Sequence, residues 1–344
     1  MSRGIVNDWR SLSLLWAHVT RSIGVMDGQH PVLLTEKALT PVSQRVSAHE
    51  VWFEALRAPA VSVQVEGVLS LFASGRTTGL SVDVGEGATT TVPVFEGHII
   101  RPAVSRSDVG GQDVTERLGK LLRERGVKLH TSADMELVRY VQSPSRYALP
   151  YDTSLIYVIS YAISCFLSCS EMKEAVCYAS PTPLTAAALA LPLPATPALA
   201  GNGAAAPTAA EETVYALPDG EVVRVGRERA AAAEVLFNPA CLGDGREEVG
   251  LGALVASTID KCDRDARAAL MNDIVLSGGC TLMSGFGQRA AHDIRGAVQE
   301  QAKVRVWAAQ DRAVAAWVGG SVLASMPTFA SMCVQKKEWE EMGP

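Results

Sequence analysis

The chain has 344 residues, of which 48% are hydrophobic and 20% charged, a composition typical of one large or two medium globular domains. The net charge of −6 argues against a dedicated nucleic-acid binder, and aromatic residues at 6% are too few for base-stacking platforms. The seven cysteines contain no CxxC pair, which indicates reduced thiols in a cytosolic or nuclear protein. Residues 1–8 are polar and lack the apolar region of a signal peptide.

Strands, glycine turns and helices alternate along most of the chain, which indicates an α/β fold. Some segments carry apolar residues at helical spacing, and others are short β-branched or apolar runs bounded by turn residues. Up to Gly79 the predicted elements are mainly helices: one capped by Asp8, one at 46–56, and an apolar stretch at 61–72, with a strand at 30–35 between the first two. Two strands follow at 80–84 and 89–95, and then a helix that follows Gly111 and stops at Gly126. Further along the chain we predict a strand at 274–276, a helix bearing Phe286 and Ile294, and a strand at 303–308.

Two segments interrupt this alternation. Residues 180–213 are rich in Ala and Pro and predict a flexible surface loop. Residues 142–172 hold four of the seven Tyr and no Gly, and their apolar run spans residues 155–169. That run is shorter than the roughly 20 residues a membrane-spanning helix needs, so we expect no membrane span.

Two glycine turns have the character of phosphate-binding sites. In Asp83-x-Gly85-x-Gly87, at the tip of the predicted β-hairpin, glycines let backbone N–H groups turn towards an anion, and Asp83 can orient a metal-bound water. Ser277-Gly278-Gly279 precedes a helix, whose N-terminus favours anions. Each motif is weak alone, and a tight hairpin turn is the simpler interpretation of the first.

Seven segments around these turns are specific to one family. They are HPVLLTE at 30–36, LSLFASGRTTG at 69–79, TVPVFEG at 91–97, LPDG at 217–220, VLSGG at 275–279, WVGGSVLAS at 317–325 and KEW at 337–339. These segments closely resemble the actin superfamily, and they occur in the family's order. Residues 3–6 and 285–287 resemble centractin, whereas 226–229 resemble conventional actin, and we favour a divergent actin-related protein.

This resemblance implies an actin-like ATPase fold of the ribonuclease H-like type, with two α/β domains around a nucleotide cleft. It begins inside the family's first domain, so we expect that domain to lack its first phosphate loop and its outer subdomain. The implied divisions are 1–73 with 315–344 as the remainder of the first domain, 74–109 with 246–314 as the inner subdomain of the second, and 110–245 as its outer subdomain.

Residues 142–172 form an insertion relative to the family. Their removal joins 135–141 to 173–178 and restores one family helix, whose two halves both contact adenosine by resemblance. Our hypothesis is that the insertion is translated intron, and a lineage-specific loop is the alternative.

The resemblance implies ATP or ADP with Mg²⁺ as ligands, with Asp83 reaching the metal through water. Met283 replaces an aromatic residue that packs on adenine, and Ala313 replaces a Lys near the base. These substitutions predict weaker adenine recognition without abolishing binding. For the chain as a whole we expect nucleotide binding to be weak or lost. The residues implied to bind nucleotide are Asp83, Gly85, Glu86, Gly87 and Ala88 at the hairpin, and Gly111, Arg139, Lys173, Glu174, Gly278, Gly279, Cys280 and Met283 around adenosine.

The candidate catalytic residues are Glu66 and Asp83. Glu66 stands where the family has a Gln that orients the attacking water, and Thr90 replaces a second water-positioning His. A carboxylate repels the phosphate oxygens, although it has the chemistry of a base. We expect slow or lost hydrolysis, with an ion pair as an equally favoured role for Glu66.

Two functions follow from the resemblance. The first is a cytoskeletal, ATP-binding filament subunit of the actin or dynactin type in the cytoplasm. Its partners would be further copies, other actin-family subunits, and actin-binding or dynactin-type proteins, without direct contact to nucleic acid or a membrane span. The alternative is a non-polymerising scaffold subunit of a multiprotein complex, for example a nuclear chromatin-remodelling complex. Sugar kinases and chaperone ATPases share this fold, but the segment at 317–325 argues against them.

Overall fold

The predicted α/β pattern is confirmed by the arrangement of helices and strands. The computed structural model describes residues 3–24, 28–127, 157–160, 173, 176–185, 189, 212–216, 222–298 and 303–343. The strands are β1 (Val32–Glu36), β2 (Ala60–Val65), β3 (Gly79–Val84), β4 (Thr89–Phe95), β5 (His98–Ile99), β6 (Ser105–Ser107), β7 (Tyr157–Ser160), β8 (Thr213–Ala216), β9 (Val222–Val225), β10 (Ile274–Ser277), β11 (Val306–Trp307) and β12 (Val334–Gln335).

Helices accompany these strands along the chain. A π-helical turn, Val51–Ala55, continues α2, and short 3-10 turns occur at Gly279–Leu282 and Arg312–Val314. The α-helices are α1 (Trp9–Ser22), α2 (Val42–Glu50), α3 (Glu66–Ala73), α4 (Gly111–Glu124), α5 (Glu228–Ala233), α6 (Leu251–Asp260), α7 (Arg264–Asn272), α8 (Phe286–Ala297), α9 (Ala315–Ala324) and α10 (Lys336–Met342).

One sheet has the strand order β12-β2-β1-β7. Its two central strands are parallel, with Val32 opposite Val61. The strand β7 pairs in parallel with the other side of β1, placing Tyr157 opposite Val32. Part of the segment predicted as an insertion therefore covers a sheet edge that would otherwise expose unpaired backbone groups. The intron hypothesis itself stays untested.

The second sheet has the order β11-β10-β3-β4-β5, with β6 also paired to β4. The predicted hairpin is confirmed, because β3 and β4 are antiparallel with Asp83 opposite Thr90. The strand β10 runs parallel to β3 and places Ser277 opposite Asp83. The carboxyl ends of β3 and β10 therefore meet at one edge, directly before the two glycine turns.

Several predicted boundaries shift. The stretch 61–72 divides into β2 and α3 because residues 61–65 alternate Val-Ser-Val-Gln-Val, which is the period of a strand. The strand predicted at 303–308 shortens to Val306–Trp307. The cap at Asp8 is confirmed, since its Oδ1 accepts a hydrogen bond from the Ser11 amide at 3.0 Å. Most of 180–213 lies outside the described residues.

Two further expectations concern cysteines and membranes. The five cysteines that the structure describes are free thiols, as the sequence predicts. Burial raises the pKa of Cys177 to about 12, which keeps this thiol protonated and unreactive. Within the described ranges, no helix has both the length and the apolar character required to cross a bilayer.

The backbones of helices α3 and α9 are in direct contact at one point. A Cβ atom on Gly319 of α9 would lie 2.5 Å from the carbonyl carbon of Leu69 in α3. The contact is surrounded by buried Leu33, Leu323 and Phe329. Only glycine permits this approach, because a backbone carbonyl in a packed helix cannot yield as a flexible side chain can.

The substitution Gly319→Ala tests this close packing. We expect it to lower the free energy of unfolding by about 2 kcal/mol or more, because the new methyl group overpacks the α3–α9 contact. Urea unfolding measures the effect. Gly296→Ala is the matched control, since Gly296 lies in α8 with open space around it and alanine favours a helix. Equal stability of the two variants would contradict the proposed constraint.

Helix α10 docks through a cluster of three rings in mutual contact. The ring centroid of His49 lies 5.9 Å from that of Phe53 and 5.5 Å from that of Trp339, and the centroids of Phe53 and Trp339 lie 5.5 Å apart. Burial lowers the pKa of His49 below its ordinary value of 6.5, and its Nδ1 lies 2.8 Å from the Arg45 carbonyl oxygen. The folded protein therefore favours the neutral imidazole.

The lowered pKa predicts a loss of stability in acid. The unfolded chain takes up a proton near pH 6.5, whereas folded His49 resists it. Its contribution is therefore complete above pH 6.5 and declines as the pH falls towards the folded-state pKa. His49→Phe should show a smaller fall in melting temperature between pH 7.5 and 5.5 than wild type. The control, His98→Phe, alters an exposed histidine and should retain the wild-type pH dependence.

Candidate nucleotide site

The tip of the β3–β4 hairpin is fastened to the first turn of α4. The Gly85 amide donates to the Ala88 carbonyl at 3.1 Å and closes the turn. The Gly85 and Glu86 carbonyls then accept hydrogen bonds from the Gly111 and Gln112 amides, at 3.0 and 2.8 Å. These amides of the helix N-terminus are thus engaged by the hairpin and are not free to bind an anion.

Asp83 lies at the carboxyl end of β3 with both carboxylate oxygens engaged. Its Oδ1 accepts a hydrogen bond from the Ser277 hydroxyl at 3.1 Å, across the β3–β10 pair. Its Oδ2 forms an ion pair with the ammonium group of Lys37. The side chain of Asp83 is 7% exposed, so this carboxylate is held within the protein by named partners.

Glu66 shares the same ammonium group. Lys37 Nζ lies 2.6 Å from Glu66 Oε2, and the Thr35 hydroxyl donates to Glu66 Oε1 at 3.4 Å. Lys37 directly follows β1 and Glu66 directly follows β2, so the two parallel strands deliver them to one edge. Because Asp83 belongs to the second sheet, Lys37 connects the two sheets through its ammonium group.

A second ion pair lies beside a cavity of about 200 Å³. Lys173 Nζ donates to Glu86 Oε2 at 2.7 Å, and Glu86 Oε1 is buried without a hydrogen-bond partner. A buried carboxylate oxygen without a donor is costly. The cavity is lined by Lys173, Gly279, Cys280, Leu282 and Met283.

The glycine turn after β10 fits tightly against the end of β3. Gly278 has φ +91°, and a Cβ there would lie 2.6 Å from the carbonyl carbon of Val84. The Cys280 thiol donates to the Gly85 carbonyl at 3.3 Å, so the turn also contacts the hairpin. By contrast, nothing lies within 4 Å of a Cβ placed on Gly279, because that position faces the cavity.

Arginines surround the outer side of the hairpin. Arg3 donates to the Gly87 carbonyl at 3.3 Å and to the Asp108 carbonyl. Arg246 donates to Asp113 at 2.7 Å, and this hydrogen bond raises the pKa of the guanidinium. These charge-assisted hydrogen bonds of Arg3 and Arg246 hold the N-terminal segment and α4 against the hairpin.

Comparison with known proteins shows which family the sequence belongs to. The sequence model of the Actin family matches residues 1–344. An "Actin-like protein" from Neurospora crassa is 34% identical over 342 residues, which cover 99% of this chain and 78% of that protein. The chain belongs to the actin family. The mixed α/β architecture with its several sheets agrees with an actin-like fold.

Most of the candidate residues of this actin-family chain lie together. Lys173, Gly279, Cys280 and Met283 line the cavity, and Gly111 lies against it, since its Cβ would be 2.6 Å from both Cys280 Sγ and Lys173 Nζ. The hairpin candidates lie beside them at the ends of β3 and β10. Arg139 and Glu174 lie outside the described residues, and Ala313 is exposed.

Sequence reasoning missed Lys37 and Leu282. The available signal for Lys37 was its position directly after a buried strand, where parallel sheets gather functional side chains. Leu282 lies three residues after Gly279 in the same turn, so the cavity-lining role of its neighbours pointed to it.

The residues fit a nucleoside better than they fit a metal-bound water. The cavity, with open space at Gly279 and the apolar side chains of Leu282 and Met283 in its wall, suits a heterocycle. At Asp83, however, Ser277 and Lys37 engage the two carboxylate oxygens. Within the described ranges, no three His, Cys, Asp or Glu side chains are grouped so as to hold a metal ion.

Gly279→Val tests whether this cavity is the ligand site. A Cβ at this position meets no atom within 4 Å, so the valine side chain has room to extend into the cavity, and we expect little change in stability and at least about tenfold weaker ATP binding. Saturation-transfer NMR with millimolar ATP measures weak binding directly. Gly296→Val places the same side chain on an exposed face of α8 and should leave ATP binding unchanged. Equal binding by both variants would place the ligand elsewhere.

Proposed function

We propose that this actin-family chain is an ATP-binding filament subunit with weak or absent hydrolysis. Proteins of the actin family bind nucleotide with a divalent cation. The observation that supports nucleotide binding here is the cavity formed by Lys173 and the turn at 279–283, next to the β3–β4 hairpin. ATP or ADP would place its adenosine in this cavity and its phosphates towards Gly85 and Gly87.

The proposal of weak hydrolysis is supported by the ion pair of Glu66. A general base or water-positioning group must reach the attacking water. Glu66 instead binds the Lys37 ammonium and accepts from Thr35, and Thr90 lies buried within β4 opposite Asp83. A carboxylate held in this way is poorly placed to orient water at a terminal phosphate.

Self-association is supported by apolar side chains exposed on one stretch of chain. Trp317 and Val322 of α9 are 36% and 50% exposed, and Met326 and Met332 beyond it are 47% and 45% exposed. Exposed apolar groups gathered in this way are typical of protein contacts. We propose further copies, other actin-family subunits, and actin-binding or dynactin-type proteins as partners, with the cytoplasmic cytoskeleton as the location.

A non-polymerising scaffold subunit is the second candidate. The ion pair between Glu66 and Lys37 favours it, because a protein that does not cycle through hydrolysis has no need of a free water-positioning residue. Such a subunit would act in a multiprotein complex, for example a chromatin-remodelling complex in the nucleus.

Sedimentation separates the two candidates. A filament subunit should pellet above a critical concentration in the presence of ATP, because head-to-tail contacts form only when enough free subunit is available. High-speed centrifugation over a concentration series measures this. The variant Trp317→Ser removes an exposed apolar group and should raise the critical concentration, whereas Leu14→Ser, at another exposed apolar position, serves as the control. Protein that never sediments would reject the filament and leave the scaffold.

A further inference from the structure

Three charged side chains meet beside the tip of the β3–β4 hairpin. The ammonium of Lys37 contacts Glu66 Oε2 at 2.6 Å and also pairs with Asp83 Oδ2. It lies directly over the hairpin, since a Cβ on Gly85 would be 3.2 Å from Nζ. The exposed fractions are 17% for the Lys37 side chain and 6% and 7% for the carboxylates, so water screens this cluster poorly.

Two buried carboxylates that share one partner repel each other unless a cation lies between them. A divalent ion is the usual solution where carboxylates converge, because oxygen ligands satisfy it well. Here a covalently attached ammonium occupies that position. It is supplied from β1, in the first sheet, and reaches Asp83 on β3, in the second sheet.

We infer that Lys37 takes the place of a divalent cation between Glu66 and Asp83, so that the protein needs no metal ion to hold its two sheets together at the cleft. The other oxygen of each carboxylate accepts a hydrogen bond, Asp83 Oδ1 from the Ser277 hydroxyl and Glu66 Oε1 from the Thr35 hydroxyl. A divalent ion can enter between these carboxylates only after the ammonium is removed. The inference is independent of nucleotide binding, because it concerns the protein without nucleotide.

Thermal unfolding of the full chain without nucleotide tests this inference. Wild type should melt at the same temperature in EDTA and in millimolar MgCl₂. Lys37→Met should melt at least about 4 °C lower in EDTA, because two buried carboxylates then face each other without a cation between them. Mg²⁺ should restore at least half of that loss by occupying the position of the ammonium.

Two control variants make the result specific. Lys120→Met removes one positive charge from an exposed position on α4 and should behave as wild type in both buffers. The double variant Lys37→Met/Asp83→Asn removes one of the facing carboxylates and should lose the response to Mg²⁺. Magnesium stabilisation of wild type equal to that of Lys37→Met, or no response of Lys37→Met, would overturn the inference.

A measurement on wild type keeps the inference testable if Lys37→Met does not fold. Mn²⁺ binding is followed by electron paramagnetic resonance for wild type and Asp83→Asn, again without nucleotide. We expect equal stoichiometry for the two proteins. A stoichiometric Mn²⁺ ion that is present in wild type and lost in Asp83→Asn would overturn the inference. ATP binding by wild type would be unaffected by that outcome, so the proposed function is judged separately.

Discussion

The parallel pairing of β3 with β10 is the constraint on which the candidate nucleotide site depends. It places Ser277 opposite Asp83, and both glycine turns then leave the sheet at the same edge. Gly278 can approach the end of β3 only because it has no side chain, and this approach brings Cys280 against the hairpin. A shift of one residue in this register would separate the acidic residue, the hairpin and the cavity.

Most charged side chains at the candidate nucleotide site form ion pairs with other side chains of the same protein. Lys37 neutralises part of the charge of Glu66 and Asp83, and Lys173 does the same for Glu86. Arg3 and Arg246 hold the outer side of the hairpin through Asp113. A ligand therefore meets a surface that is already paired, and its binding energy must come mainly from the cavity.

Features that depend only on residues close together in the chain could be predicted from the sequence. The hairpin, the cap at Asp8 and the glycine turn at 278–279 follow from local chemistry, and family resemblance grouped most of the cavity residues. The ion pair of Lys37 could not be predicted, because its partners lie 29 and 46 positions away and only the parallel strands unite them. The strand β7 was missed for a related reason. An apolar run in an insertion does not indicate which sheet edge it will join.

The attachment of the hairpin to α4 has a mechanical consequence. The helix has 14 residues, so it extends roughly 21 Å from the hairpin tip. Just beyond its far end, Arg125 donates to the Arg224 carbonyl at 2.8 Å and to Glu228 at 3.0 Å. Hydrogen bonds thus attach α4 to the hairpin carbonyls at one end and to β9 and α5 at the other. Because the helix is rigid, a small displacement of the hairpin tip would also move β9 and α5 at the far end of the helix.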